Sequence, residues 1–383
     1  VVQILQNLRA MRTKQAVWTQ AGWNGLEPEP TPPDLVLLFG GRAALQSGDP
    51  LASLAHTYPP ERTFGCSTAG EIAGAQVSEE GAVATALWLE RARVTAVQAS
   101  LADAGSAFEL GRRLGQRLAG ERELAHVFIL SDGLAVNGSE LVRGLVATLP
   151  VGVGLSGGLA GDGAAMKETV VCHQGRLSGG TVTALGFSGP LLVGLGSVGG
   201  WDAFGPARLV TRARDHVLFE LDGEPALDLY RRYLGPHAAG LPTSGLLFPL
   251  LVQLPGVAQP VARTLLGIDE AQGSLSFAGD IPQGATAQLT RANVERLVNG
   301  ATAAAEASRR TRAPELALLV SCVGRKLVMK QRVEEEVEAV AEVLGATVPM
   351  AGFYAYGELA PHVTGGTCRL HNQTMTVTTL SEA

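Results

Sequence analysis

The chain has 383 residues, 46% of them hydrophobic and 17% charged, and a formal net charge of −6. That length predicts two domains, each able to bury its own core, and the acidic balance excludes a nucleic-acid binder working through a basic face. The four scattered cysteines (Cys66, Cys172, Cys322 and Cys368) form no C-x-x-C pair, which excludes a disulfide scaffold and fits a reducing cytoplasm.

Ile4, Leu8 and Met11 recur at helical spacing and predict an N-terminal helix within residues 1–26. Pro28, Pro30, Pro32 and Pro33 then make a stiff connector, so residues 1–33 stand apart from the body of the chain. The run Leu35-Val36-Leu37-Leu38-Phe39 ending in Gly40-Gly41 predicts a strand buried on both faces. A helix follows near 49–57, and residues 81–90 and 94–100 read as paired strands. The strand 126–131 leads to a helix capped by Asn137 and running to about Leu149. Residues 168–174 and 180–187 read as a hairpin around Gly175-Arg176. Helices are predicted over 225–234 and over 291–310, the second capped by Thr290. A strand over 316–322, an acidic helix over 333–344 with Glu334, Glu335 and Glu336 at its positive end, and strands over 368–370 and 375–380 complete the chain. The longest apolar stretch, 245–254, contains Pro249 and falls short of the about 20 residues a membrane helix needs, so no membrane segment is expected.

One pattern punctuates this order. Gly65-Cys66-Ser67-Thr68-Ala69-Gly70-Glu71 and Gly352-Phe353-Tyr354-Ala355-Tyr356-Gly357-Glu358 repeat a glycine, four residues, glycine and glutamate. A looser copy runs from Gly154 to Gly161-Asp162. Each follows a short apolar strand, so the chain reads as three strand–helix–strand units, the third delayed by an insertion. The predicted class is α/β, with mixed β-sheets flanked by helices.

Ligands in such sheets sit beyond the carboxyl ends of the strands. Glu71, Asp162 and Glu358 follow three such ends and could accept from an ammonium or guanidinium group, or cap amides of their own turns. The identical spacing favours a site shared by Glu71 and Glu358. Cys66, Ser67 and Thr68 lie inside the tight turn, where a nucleophile or binding groups could be presented. Arg325 follows a strand end and suits bidentate capture of a carboxylate, so an acid and an arginine together would hold a zwitterion. Tyr354 and Tyr356 alternate and point apart, one toward a pocket. His371 and Asn372 sit in a donor-rich knot, and His362 lies on a glycine-flanked loop. Cys368 and His371, three apart on a strand, face opposite ways, so no metal site is expected.

These motifs resemble a known family. Gly65 to Ile72 resembles the signature of the FIST N domain; Ser321-Cys322-Val323-Gly324-Arg325, Gly352 to Glu358 and His371-Asn372-Gln373-Thr374-Met375 resemble those of the FIST C domain. The resemblance implies a FIST N-like domain over 34–225 and a FIST C-like domain over 226–383. It implies a non-enzymatic cytoplasmic sensory protein that binds a small ligand, an amino acid by the usual proposal, and signals through a separate chain. The alternative it implies is a haem-binding nitric-oxide sensor, with His371 or His362 on the iron, acting on a histidine kinase or cyclic-di-GMP enzyme. The third class is a hydrolase or transferase using Cys66 or Ser67.

Overall fold

A computed structural model describes residues 11–383 except Ala258 and Val363. Among the described residues there are four sheets, and three share one plan. At the centre of each lies a parallel pair: Leu35–Gly41 with Thr63–Thr68, Leu124–Ser131 with Gly154–Leu159, and Leu316–Cys322 with Met350–Ala355. These central strands are covered on both faces, which is why they read as unbroken apolar runs. Parallel neighbours need a crossover; helices Arg42–Ser47 and Asp49–Ala55, helix Gly138–Val146, and helices Val323–Met329 and Glu334–Leu344 supply them. An antiparallel strand flanks the first member of each pair: Ala82–Trp88, Thr181–Ser188 and Met375–Glu382. Beyond it lie Arg12–Thr19, Arg93–Ser100 and Leu191–Val198.

The second member of each pair is flanked by a hairpin from another unit. The first unit's hairpin, Glu71–Ala73 with Gln76–Ser78, joins the third sheet through Phe353 opposite Glu71. The second unit's, Val171–His173 with Arg176–Ser178, joins the first sheet through Cys66 opposite Val171. The third unit's, Gly357–Ala360 with Arg369–His371, joins the second sheet through Gly158 opposite Glu358. The exchange closes a ring. Its shared core holds Leu37, Phe39, Phe64, Cys66, Phe128, Val320 and Phe353, with Phe39 and Phe353 ring centroids 4.7 Å apart.

The repeated glycines serve this closeness. A Cβ on Gly65 would lie 1.7 Å from the Leu38 carbonyl oxygen, and one on Gly352 would lie 1.9 Å from that of Leu319.

The fourth sheet is the insertion, between Leu191–Val198 and the helix Val294–Ser308. Its strands include Asp202–Arg214, Leu250–Gln253, Val261–Arg263 and Thr286–Arg291, and it has its own core around Val210, Leu218, Tyr230, Val252 and Phe277. Among the described residues no helix is long and apolar enough to cross a membrane.

Several expectations change. Residues 1–10 lie outside the described residues, and 12–19 and 22–24 form a hairpin rather than a helix, because the aromatic Trp18 and Trp23 pack on the first sheet's edge. The predicted strand pair 81–90 and 94–100 splits between two sheets, the first strand on Leu35–Gly41 and the second on Thr181–Ser188. The hairpin around Gly175 closes on Arg176–Ser178, and Thr181–Ser188 belongs to the next sheet. Thr290 is in a strand, its hydroxyl donating to the Pro249 carbonyl at 2.7 Å; the helix cap is Asn293.

Candidate functional site

The hairpin exchange puts each glycine turn on a seam between units. At the seam between the first and second units the end of Leu35–Gly41, the turn Thr68–Glu71 and the loop after Asp162 enclose a cleft of about 710 Å³. Glu71 and Asp162 both line it, together with Thr68, Arg42, Glu79 and Glu80.

Glu71 is 0% exposed. Its Oε1 accepts from the Thr68 hydroxyl at 2.5 Å and its Oε2 from the Ser78 hydroxyl at 3.2 Å. Burial pushes its carboxyl up to about 7, against the pull of those hydroxyls and of nearby Lys326. Glu71 is thus poised between neutral and ionised forms near neutral pH. Lys326 reaches in from the third unit, donating to the Ala69 carbonyl at 2.6 Å and pairing with Glu79 at 2.6 Å.

Asp162 is the most heavily bonded acid of the cleft. Its Oδ1 accepts from the amide of Met166 at 2.7 Å, and its Oδ2 from those of Lys167 at 2.9 Å and Glu168 at 3.0 Å. The Tyr356 hydroxyl also donates to Oδ1. Burial works to raise its carboxyl, but these donors outweigh it and hold the group below the ordinary carboxylate range. Asp162 therefore anchors its loop while lending a fixed negative charge to the cleft.

The arginine of this cleft is Arg42, which directly follows the strand Leu35–Gly41. Its Nη1 meets Glu168 at 3.2 Å and its Nε stands 3.8 Å from Asp162 Oδ2, with no hydrogen-bond partner for Nε among the described residues. The expectation for Arg325 is corrected. It is 0% exposed and clamped by Glu336 through Nε at 2.8 Å and Nη2 at 2.6 Å, with further bonds to the carbonyls of Leu297 and Gly199. A guanidinium so occupied has no donor left for a ligand. Arg42 occupies the matching strand end in the first unit; the repeat itself was the signal that could have singled it out.

The expected pairing of Glu71 with Glu358 is also corrected, since Glu358 lies on another seam, fully buried behind Thr374. Its Oε2 accepts from the Thr374 amide at 3.0 Å and hydroxyl at 2.8 Å, while Oε1 has no partner among the described residues. Burial pushes its carboxyl up to about 8 despite those donors. A raised carboxylate weakens the fold as pH climbs from the unfolded value near 4.3 to the folded one, because the unfolded chain loses its proton first. Glu358→Gln keeps an acceptor for Thr374 and removes this penalty. The variant is expected to match the parent near pH 4 and to exceed it by on the order of 5 kcal/mol near pH 9; urea unfolding at the two pH values checks this, and equal stabilities near pH 9 would refute it.

Cys66 and Ser67 do not reach the cleft. Cys66 lies within the shared apolar core, and burial pushes its thiol well above the ordinary value. Ser67 Oγ accepts from the Val170 amide at 3.0 Å. Neither is presented as a nucleophile. Tyr354 points inward, its hydroxyl donating to Glu336 at 2.8 Å, and Tyr356 points outward to Asp162. Asn372 is fully buried, its side-chain atoms without partners among the described residues.

His362 and His371 share a different cavity, of about 410 Å³, with ring centroids 4.5 Å apart. His371 Nε2 donates to the Ala360 carbonyl at 2.9 Å, and His362 Nδ1 meets that of Ser197 at 3.3 Å. Haem does not fit here. Among the described residues no lysine or arginine lines the cavity to meet two propionates, and His371, 1% exposed, has its Nε2 committed to the Ala360 carbonyl.

Residues 34–224 match the FIST N domain and residues 226–361 the FIST C domain. The chain belongs to the FIST family. FIST domains are sensory domains that bind small ligands in signal transduction. Relatives of this FIST protein include the uncharacterized protein Rv0628c of Mycobacterium tuberculosis, 27% identical over 344 residues covering 86% of this chain and 87% of that one. The uncharacterized protein Mb0898c of Mycobacterium bovis is 28% identical over 364 residues, 91% of each chain. A crystal structure of a chorismatase aligns over 98% of this chain and 100% of that one at 9% identity, with a TM-score of 0.36, a likeness at which neither fold nor activity transfers.

Proposed function

We propose that this FIST protein is a small-ligand sensor whose ligand enters the cleft between the first two units. The ligand carries an ammonium group for Glu71 and a carboxylate for Arg42, as an amino acid does. The observation that supports this is the convergence of a buried carboxylate, a fixed aspartate and an arginine whose Nε has no hydrogen-bond partner among the described residues on one cleft of about 710 Å³, a size suited to a small molecule. The cleft is also placed to signal. The hairpin that starts at Glu71 is a strand of the third sheet, and the loop from Asp162 leads into a strand of the first. A ligand drawing these turns together loads two seams of the ring at once, and the change is passed to a separate partner protein.

A thermal-shift screen of the standard amino acids is expected to give at least one that raises the melting temperature. Glu71→Gln should then weaken that ligand about tenfold or more, the scale of a lost charge-assisted hydrogen bond. Because binding an ammonium group requires the ionised carboxylate, affinity should fall from about pH 8 to about pH 6, across the value near 7. Unchanged affinity in both Glu71→Gln and Arg42→Met would overturn the assignment.

A further inference from the structure

A second cavity, of about 530 Å³, opens where helix Gly138–Val146 faces the inserted sheet and the strand Arg369–His371. At its wall is Arg263, 3% exposed. Its Nε donates to the Asp280 carbonyl at 3.0 Å, and its Nη1 to those of Ala262 at 3.0 Å and Leu370 at 3.2 Å. All three acceptors are neutral, and among the described residues Arg263 has no ion-pair partner. This contrasts with Arg325, the other deeply buried guanidinium, which is matched by a buried carboxylate at 2.6 Å. A buried cation without a paired counterion is costly; the Asp280 carboxylate is near enough to favour the charge but makes no ion pair with it, and the guanidinium borders open space.

Two more polar groups at this cavity are incomplete. Ser139 Oγ and Asp280 Oδ1 are buried without a hydrogen-bond partner among the described residues. Much of the remaining wall is apolar, with Val142, Leu254, Val257 and an exposed Val146 at the mouth. Arg143 and Arg369 add two further guanidinium groups to the lining, Arg143 being paired with Glu140 at 3.0 Å.

We propose that this cavity binds a small molecule with an apolar body and one carboxylate, which Arg263 neutralises. The apolar wall takes the body. With Arg143 taken by Glu140, Arg263 and Arg369 set against Asp280 leave one net positive charge, which matches a single carboxylate better than a dianion such as phosphate. Burial draws the Arg263 guanidinium down to about 10, a cost the bound anion would relieve. The site is separate from the acidic cleft, which has no residue in common with it.

Calorimetric titration of the full chain with benzoate, phenylacetate and hexanoate tests this, with inorganic phosphate as the comparison. At least one carboxylate should bind with a measurable dissociation constant, weakened tenfold or more by Arg263→Met and by Val146→Trp, which fills the mouth without touching the buried charge. Glu71→Gln should leave that binding unchanged. Should Arg263→Met fail to fold, Val146→Trp decides. No binding by any of the three carboxylates, equal binding by phosphate, or full affinity in Val146→Trp would each overturn the proposal.

Discussion

Gly352→Ala is expected to abolish the native fold. The new Cβ would stand 1.9 Å from the Leu319 carbonyl oxygen and 2.7 Å from its carbon. Both atoms are backbone, so no side-chain rotation relieves the clash. Leu319 cannot withdraw either, because Leu316–Cys322 is hydrogen-bonded on one side to Met350–Ala355 and on the other to Met375–Glu382. The parting of two central strands would cost more than about 4 kcal/mol, against a total stability on the order of 5–15 kcal/mol. Gly65→Ala should behave alike, its Cβ meeting Leu38 at 1.7 Å. Gly74→Ala makes the control: it has φ +57° but nothing within 4 Å of a Cβ, and should cost only about 1 kcal/mol. Soluble yield and thermal melting of the three variants decide the matter. A Gly352→Ala protein melting within a few degrees of the parent would refute it.

Glu336→Ala carries the second large effect. Glu336 is 0% exposed and accepts from Arg325, from the Ser321 hydroxyl at 2.8 Å and from the Tyr354 hydroxyl at 2.8 Å. Removing it strands the Arg325 charge and two hydroxyls in the interior, for a cost of about 3–5 kcal/mol. The double replacement Arg325→Met with Glu336→Met leaves no buried charge and should be more stable than the sum of its single changes by on the order of 2 kcal/mol. A double-mutant cycle in urea measures that coupling, and strict additivity would contradict it.

Both predictions concern residues whose types were legible and whose partners were not. The threefold strand–helix–strand order could be read because buried strands and glycine turns leave local marks. The exchange of hairpins could not, since Glu71 opposite Phe353 is a pairing across 282 positions of chain and no local pattern records it. That exchange explains the misplaced pairings. Residues 81–90 and 94–100 look like neighbours in the sequence, but each is claimed by a longer buried strand in a different sheet. Glu336 read as one of three acids favouring a helix N-terminus, and only the packing of the Leu316–Cys322 end against that helix turns it inward onto Arg325.

The candidate site was half legible. Glu71, Thr68 and Asp162 follow strand ends and do meet at one cleft. Glu358 shares the spacing of Glu71 but not its surroundings, because the third turn is covered by the knot His371 to Thr374. Equal motifs in a repeated fold thus meet unequal neighbours: one seam is left open and another is sealed. Arg42, not Arg325, is the arginine at the open cleft, for the same reason seen from the other side.

The most direct test of a ligand site at the acidic seam is hydrogen–deuterium exchange of the full chain with and without the best amino acid from the thermal screen. Protection is predicted at the turn Thr68–Glu71, in the loop from Asp162 to Ala165 and around Arg42, with a smaller effect along Met350–Ala355, where the Glu71 hairpin is paired. Protection confined to other parts of the chain, with those turns unchanged, would contradict it.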